Sequence, residues 1–299
     1  MKNLLFFVNP NAGQGGFRES LLEVAKEFSA ADYRITLHPT RGPGDLTEVV
    51  KREGETYDII VATGGDGTLN ETTAGLMALP AEKRPVIGYI PGGTANDVAT
   101  TLGLSKQPLQ AAKDIVNGTP CAIDVGSFND GWFNYVAAFG AFTDVAYRTS
   151  QEGKRLLGRL AYFLDGTKSL AEIHPVDVEI TVDGETRAER VLVGLVTSTT
   201  SVGGFSMKNL SDVRLDDGYF EVLLIREIKS VQSLSNVVSG LLKQDFSAEE
   251  FFFTKASHVE FRLPQPTGWT LDGEFGGSVA EAVIDNHRKA VRILVPPET

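Results

Sequence analysis

Over the first 120 residues, short apolar runs alternate with stretches whose apolar positions recur every three or four residues. Residues 4–8 (Leu4, Leu5, Phe6, Phe7, Val8) form an unbroken apolar run, the pattern of a strand buried on both faces. Phe17, Leu21, Ala25 and Phe28 follow at helical spacing. Residues 33–37 predict a second strand, and Leu46, Val49 and Val50 mark the buried stripe of a second helix. A third strand at 59–61, a helix over 68–77, a fourth strand at 85–90, a helix from Asp97 and another over 108–117 continue the alternation. Strands alternating with helices predict an open parallel sheet covered on both faces. Such sheets bind ligands beyond the carboxyl ends of their strands.

After about residue 123 the texture changes. Residues 123–128 and 132–138 read as strands around the turn Asn129-Asp130-Gly131, and 176–182 with 185–197 as a hairpin around Asp183-Gly184. Helical stretches are expected at 143–150, 156–173 and 234–242, and further strands at 218–225, 258–263, 269–271 and 291–295. The expected organisation is an α/β domain over 1–122 and a β-rich, sandwich-like domain over 123–299. The last strand is a candidate to return to the first domain.

Three glycine-rich segments fall at three expected strand ends: 9–16, 64–67 and 91–94. Glycines there allow tight turns and close approach of another molecule, and a helix amino end supplies unpaired N–H donors for an anion. A phosphate-rich ligand suits that geometry. Asp66 does not suit a bare phosphate, since a carboxylate beside phosphates needs a metal ion or a lysine between them. An ordinary turn capped by Asp66 or Thr68 explains one such segment but not three. The dinucleotide glycine spacing is absent, as is a loop ending in Gly-Lys-Ser.

A formal net charge of −11 argues against a nucleic-acid binder and against general adhesion to anionic membranes. Cys121 is the single cysteine, so neither an intrachain disulfide nor a cysteine-based zinc site is expected. The amino-terminal apolar run is too short for a signal peptide or a membrane span, which points to the cytoplasm. His38, His174, His258 and His287 are scattered and none is assigned to catalysis.

The motifs Asn9-Pro10-Asn11-Ala12-Gly13, Gly64-Gly65-Asp66-Gly67-Thr68-Leu69-Asn70-Glu71 and Pro91-Gly92-Gly93-Thr94-Ala95-Asn96-Asp97 together resemble the diacylglycerol kinase catalytic family, in particular its bacterial soluble members of Gram-positive type. Residues 215–220 and 271–277 resemble that family's second-domain motifs. The glycine segment at 64–71 is shared with NAD kinases, whereas the full set in this order is far more specific. The resemblance implies an NAD kinase/diacylglycerol kinase-like first domain and phosphoryl transfer from ATP to a lipid hydroxyl. It implies that the nucleotide lies between the domains and that diacylglycerol is the acceptor. By the same resemblance, Asn9, Pro10, Asn11, Ala12, Gly13, Thr40, Gly64, Gly65, Asp66, Gly67, Thr68, Leu69, Asn70 and Thr94 hold ATP, with Asp66 acting through Mg2+. Glu274 is the implied proton acceptor, with Asp272 beside it. From the residues alone, a carboxylate within reach of a hydroxyl can take its proton, while Asp272-Gly273 also fits a plain hairpin turn. The resemblance further implies a structural Mg2+ held by the Asp217 carboxylate and the backbone carbonyls of Arg214 and Tyr219, with Asp216 competing for the ligand role.

The chain departs from close relatives by lacking a lysine after the first glycine loop and by carrying Asp165 where a helix lysine is usual. Asp66, Asp97 and Asp124 are thereby left with fewer cations to neutralise them. The stretch 154–159 interleaves basic and apolar residues, which suits transient contact with the inner face of a membrane. A homodimer follows from resemblance only. The competing readings are a kinase of another lipid, an NAD kinase, and a catalytically silent nucleotide or lipid sensor.

Overall fold

The computed structural model describes residues 1–9, 16–140, 174–199, 201–202, 205–206 and 214–297. The helices expected at 143–150 and 156–173, with the basic stretch 154–159 and Asp165, lie outside the described residues, as do Pro10, Asn11, Ala12 and Gly13. The chain divides into two compact units, Met1–Val125 with Arg288–Thr299, and Gly126–His287.

In the first unit, β1 (Lys2–Val8) leads through α1 (Gly16–Ala30) to β2 (Tyr33–Pro39). Next, α2 (Asp45–Glu53) precedes β3 (Ile59–Gly64), and α3 (Asp66–Met77) precedes β4 (Val86–Pro91). There follow α4 (Asp97–Thr101), α5 (Pro108–Asn117) and β5 (Thr119–Phe128), along which the chain leaves the unit. The strands pair in parallel in the order β2, β1, β3, β4. Beside β4 the chain's final stretch closes the row, pairing Ile293 with Ile87, also in parallel.

Both faces of this sheet are covered, which is why its strands read as unbroken apolar runs. Leu4, Phe6 and Val8 pack with Val24 and Phe28 of α1, with Ala111 and Ile115 of α5, and with Leu294. Alternation sends Leu5 and Phe7 to the opposite face. There α2 and α3 pack so closely that a Cβ on Gly75 would meet the Val50 Cβ at 2.6 Å. The helix after β3 starts at Asp66, two residues earlier than its apolar period suggests. Gly65 is the extended cap residue, so Asp66 heads the helix, where a carboxylate complements the dipole.

The second unit is β-rich. It contains β6 (Gly131–Phe133), β7 (Val136–Gly140), β8 (Val176–Val182), β9 (Glu185–Thr197), the short pair β10 (Ser201–Val202) and β11 (Phe205–Ser206), and β12 (Phe220–Arg226). Then come α6 (Val231–Lys243), β13 (Phe251–Ala256), β14 (His258–Leu271) and β15 (Glu274–Val295). Residues 274–287 of β15 belong to this unit and the rest to the first. Antiparallel pairing runs β13, β12, β9, β7, β14, β15, and β8 pairs with both β9 and β14. Trp269 sits at the centre of the core, its ring centroid 4.6 Å from Phe139, 4.9 Å from Phe128 and 5.3 Å from Phe261. A second cluster seats α6, through Leu234, Val237 and Leu241, on Leu223, Ile225 and Phe251.

The strand expected over 132–138 is broken at Asn134 and Tyr135. The two strands expected at 258–263 and 269–271 are one, because a register shift between Arg262 and Thr267 absorbs Pro264 and Pro266, which have no N–H to give a ladder.

Candidate active site

In the first unit the second and third glycine loops are packed backbone to backbone. A Cβ on Gly93 would lie 2.5 Å from the Gly65 Cα, so only glycine fits at that position without moving the facing loop. The Gly92 N–H donates to the Gly64 carbonyl at 2.7 Å. Asn96, buried and left-handed at φ 54°, stitches the two loops together. Its side chain accepts from the Gly93 N–H at 3.0 Å and donates to the Gly93 carbonyl at 2.7 Å. Its backbone N–H donates to Asp66 Oδ2 at 2.8 Å. Beneath, the buried Tyr89 hydroxyl donates to the Gly64 carbonyl at 3.0 Å and lies 3.4 Å from Asn96 Oδ1. Burial pushes the Tyr89 hydroxyl well above its ordinary pKa, the Asp66 charge adding to the shift, so it remains a neutral donor. The twelve-residue α3 starts at this junction with its amino end toward the loops.

Neither Tyr89 nor Asn96 was singled out by sequence reasoning. Tyr89 reads as an ordinary core aromatic on β4, while Asn96 stands in the third motif without a role of its own, its left-handed conformation being one that Asn tolerates. Glu71 closes the second motif without an assigned role: its Oε1 accepts from the Gly44 N–H at 2.9 Å, tying α3 to the start of α2. Leu69 is fully buried, so its side chain belongs to the core. Thr94 is exposed on the third loop. The Thr40 N–H donates to the Val8 carbonyl at 2.9 Å, which places it at the carboxyl ends of β1 and β2, beside Asn9. Nearby, Arg41 and then His38 hold the Asp45 carboxyl well below its usual range. Two of the acids that the missing lysines would neutralise accept backbone donors. Asp66 takes the Asn96 N–H, and buried Asp124 takes the Lys289 N–H at 2.7 Å.

In the second unit Asp272 and Gly273 form the two-residue turn joining β14 to β15, with φ 49° and 85°. Two left-handed residues are what a tight hairpin needs, and Asp-Gly supplies them. Asp272 is buried, and its carboxylate faces inward onto the break between β6 and β7. Oδ2 accepts from the Asn134 N–H at 2.6 Å and from its amide at 3.3 Å. Oδ1 accepts from the Tyr135 N–H at 2.9 Å and the Val136 N–H at 3.1 Å. Thr197 and Ser198 hydroxyls close the same buried polar layer through the Tyr135 and Asn134 carbonyls. Glu274, two residues on, is exposed, and Phe275 beside it is 58% exposed.

Asp217 lies elsewhere in this unit. It accepts from the Tyr219 N–H at 3.0 Å and from Lys255 Nζ at 3.3 Å. Lys255 also lies 3.5 Å from Glu221, directly across the β12–β13 pair. Burial pushes the Glu221 carboxyl up to about 7, against the pull of Lys255. Glu221 Oε2 is buried with no hydrogen-bond donor among the described residues. Asp216 pairs with Arg214 at 3.3 Å. Of Asp217 and Glu221, Asp217 is the carboxylate that solvent reaches, and a lone accessible carboxylate completed by backbone carbonyls and water suits a hard cation. Among the described residues no three metal-binding side chains cluster, and no helix is long and apolar enough to cross a membrane.

Comparison with known proteins agrees over the whole chain. Residues 3–128 match the family described as the diacylglycerol kinase catalytic domain, and residues 137–295 match the YegS C-terminal NAD kinase beta sandwich-like domain. A diacylglycerol kinase of Bacillus subtilis (strain 168) is 33% identical over 300 residues, covering 100% of this chain and 98% of its own. One from Staphylococcus carnosus (strain TM300) is 31% identical, covering 99% and 96%. The crystal structure of a diacylglycerol kinase from Bacillus anthracis str. Sterne superposes with a TM-score of 0.77 at 25% identity, covering 99% of this chain and 97% of that one.

Proposed function

The chain belongs to the diacylglycerol kinase catalytic domain family and is a lipid kinase, and from that premise we propose that it transfers the γ-phosphoryl of Mg2+-bound ATP to the hydroxyl of diacylglycerol, giving phosphatidate. The observation that carries the nucleotide half is the stitched pair of glycine loops. Asn96 fixes Asp66 at the head of α3, and at Gly93 the loops approach each other too closely for a side chain. Backbone N–H groups at a helix start are the natural partners of a phosphate chain. When bound with ATP, Mg2+ would supply charge that the transferring phosphoryl group needs, and Asp66 on the loop is the carboxylate assigned to it, while Asp217 on the second unit is assigned to a separate structural Mg2+.

The acceptor half rests on Glu274. A lipid hydroxyl must lose its proton as it attacks, and Glu274 is an exposed carboxylate able to accept it. Asp272 does different work. Its four hydrogen bonds anchor the turn from which Glu274 projects. The exposed Phe275 ring gives the acceptor's acyl chains an apolar neighbour. A substrate dissolved in a bilayer requires the protein to work at the membrane surface, and a chain with net charge −11 must do so through a local patch.

The test is ATP-dependent phosphorylation of diacylglycerol in mixed micelles, run beside monoacylglycerol, sphingosine and NAD. Diacylglycerol turnover that requires Mg2+ and drops roughly 10²–10⁴-fold in Glu274→Gln is the expected result. Turnover that survives this substitution removes the assigned base, and turnover of NAD in place of lipid removes the assigned substrate.

A further inference from the structure

Lys255, Glu221 and Asp217 form a graded set: Glu221 is 2% exposed, Asp217 20% and Lys255 35%. One ammonium serves two carboxylates at 3.3 and 3.5 Å, both longer than the roughly 2.8 Å of a well-made charge-assisted hydrogen bond. Asp217 has a donor on each oxygen, the Tyr219 N–H and the Lys255 ammonium, whereas Glu221 is served on one side only. The inner one, Glu221, keeps a buried oxygen with no donor among the described residues, a condition that native interiors normally avoid. Asp217 is the member that solvent, and a hydrated ion, can reach.

We propose that Lys255 is a resident cation of the Asp217 site, and that a divalent ion binds there by taking Asp217 from the lysine, whose ammonium then turns to Glu221. This rests on the reading that Asp217 is a ligand of Mg2+. Lys255 thus sets the affinity of the site. Its charge opposes the incoming ion, and Glu221 lowers that opposition by receiving the displaced ammonium. The site is an exchange of partners, and each residue has its own predicted sign.

The experiment measures Mn2+ binding to the full chain without nucleotide, by electron paramagnetic resonance and calorimetry, Mn2+ standing in for Mg2+ at oxygen ligands. Lys255→Gln is expected to bind Mn2+ about tenfold more tightly, because a unit charge beside the site is gone though partly screened. Lys255→Arg keeps the charge and should stay near wild type. Glu221→Gln should bind more weakly, since the displaced ammonium then loses the Glu221 carboxylate that receives it. Equal or weaker binding by Lys255→Gln overturns the proposal. If that variant does not fold, the double change Lys255→Gln with Glu221→Gln removes the buried unpaired acid, and it must still bind more tightly than Glu221→Gln alone. Asp217→Asn separates the two ideas. Binding that survives it overturns the assignment of Asp217 to the ion and the proposal with it. Binding that it abolishes, together with unchanged affinity in Lys255→Gln, leaves Asp217 standing and sinks the lysine's role.

Discussion

Asp272 and Glu274 stand two residues apart, yet one carboxylate is buried under four hydrogen bonds and the other is exposed. Substituting them should give opposite signatures. Asp272→Asn is expected to cost about 2–3 kcal/mol of stability, because buried N–H groups lose a charged acceptor; thermal unfolding reads this directly. Glu274→Gln should leave the melting temperature unchanged while removing turnover. Tyr89→Phe is expected to cost about 1 kcal/mol and to raise KM for ATP more than it lowers kcat, since its hydroxyl acts through Gly64 and Asn96. Equal falls in kcat and kcat/KM would count against that role. The sequence disclosed Asp272-Gly273 as a turn and Glu274 as an acid beside it. The inward aim of Asp272 was not legible, because its partners Asn134, Tyr135 and Val136 lie well over a hundred positions away and read as the middle of a strand.

Among the elements, the β14–β15 hairpin carries a charge cluster of its own. His258 Nδ1 lies 2.7 Å from Asp285, and Nε2 lies 3.2 Å from Glu260. Asp285 and then Glu260 raise the His258 pKa against the effect of burial. A raised folded-state value means the contribution is fully present below the unfolded pKa, about 6.5, and is lost as pH rises through the folded value. The melting temperature of wild type should exceed that of His258→Gln by most below pH 6, and the gap should close on going alkaline. A gap that widens with pH would refute this. Since the ring is a third exposed, the effect will be modest. This hairpin was also the least legible element. Pro264 and Pro266 split its first arm on paper, and Gly276-Gly277 with weak alternation hid the start of its second. The β-α elements of the first unit were legible because burial on both faces leaves long apolar runs and clean helical stripes.

For the molecule as a whole, the first unit is built from two stretches of chain that flank the second unit in sequence. Val291, Ile293 and Leu294 are buried in it, and Arg84 donates to the Ala290 carbonyl at 2.7 Å. Removing 288–299 is therefore expected to abolish cooperative unfolding of this unit and with it binding of a fluorescent ATP analogue. Retained binding would show that the unit needs only its first 125 residues. The arrangement has a consequence for biosynthesis. On the ribosome, residues 1–125 emerge before the second unit, but the strand that lies beside β4 is made only after it. The nascent first unit must wait with one sheet edge uncovered while all of the second unit is translated, a window in which a chaperone, or a neighbouring copy's strand, competes for that edge.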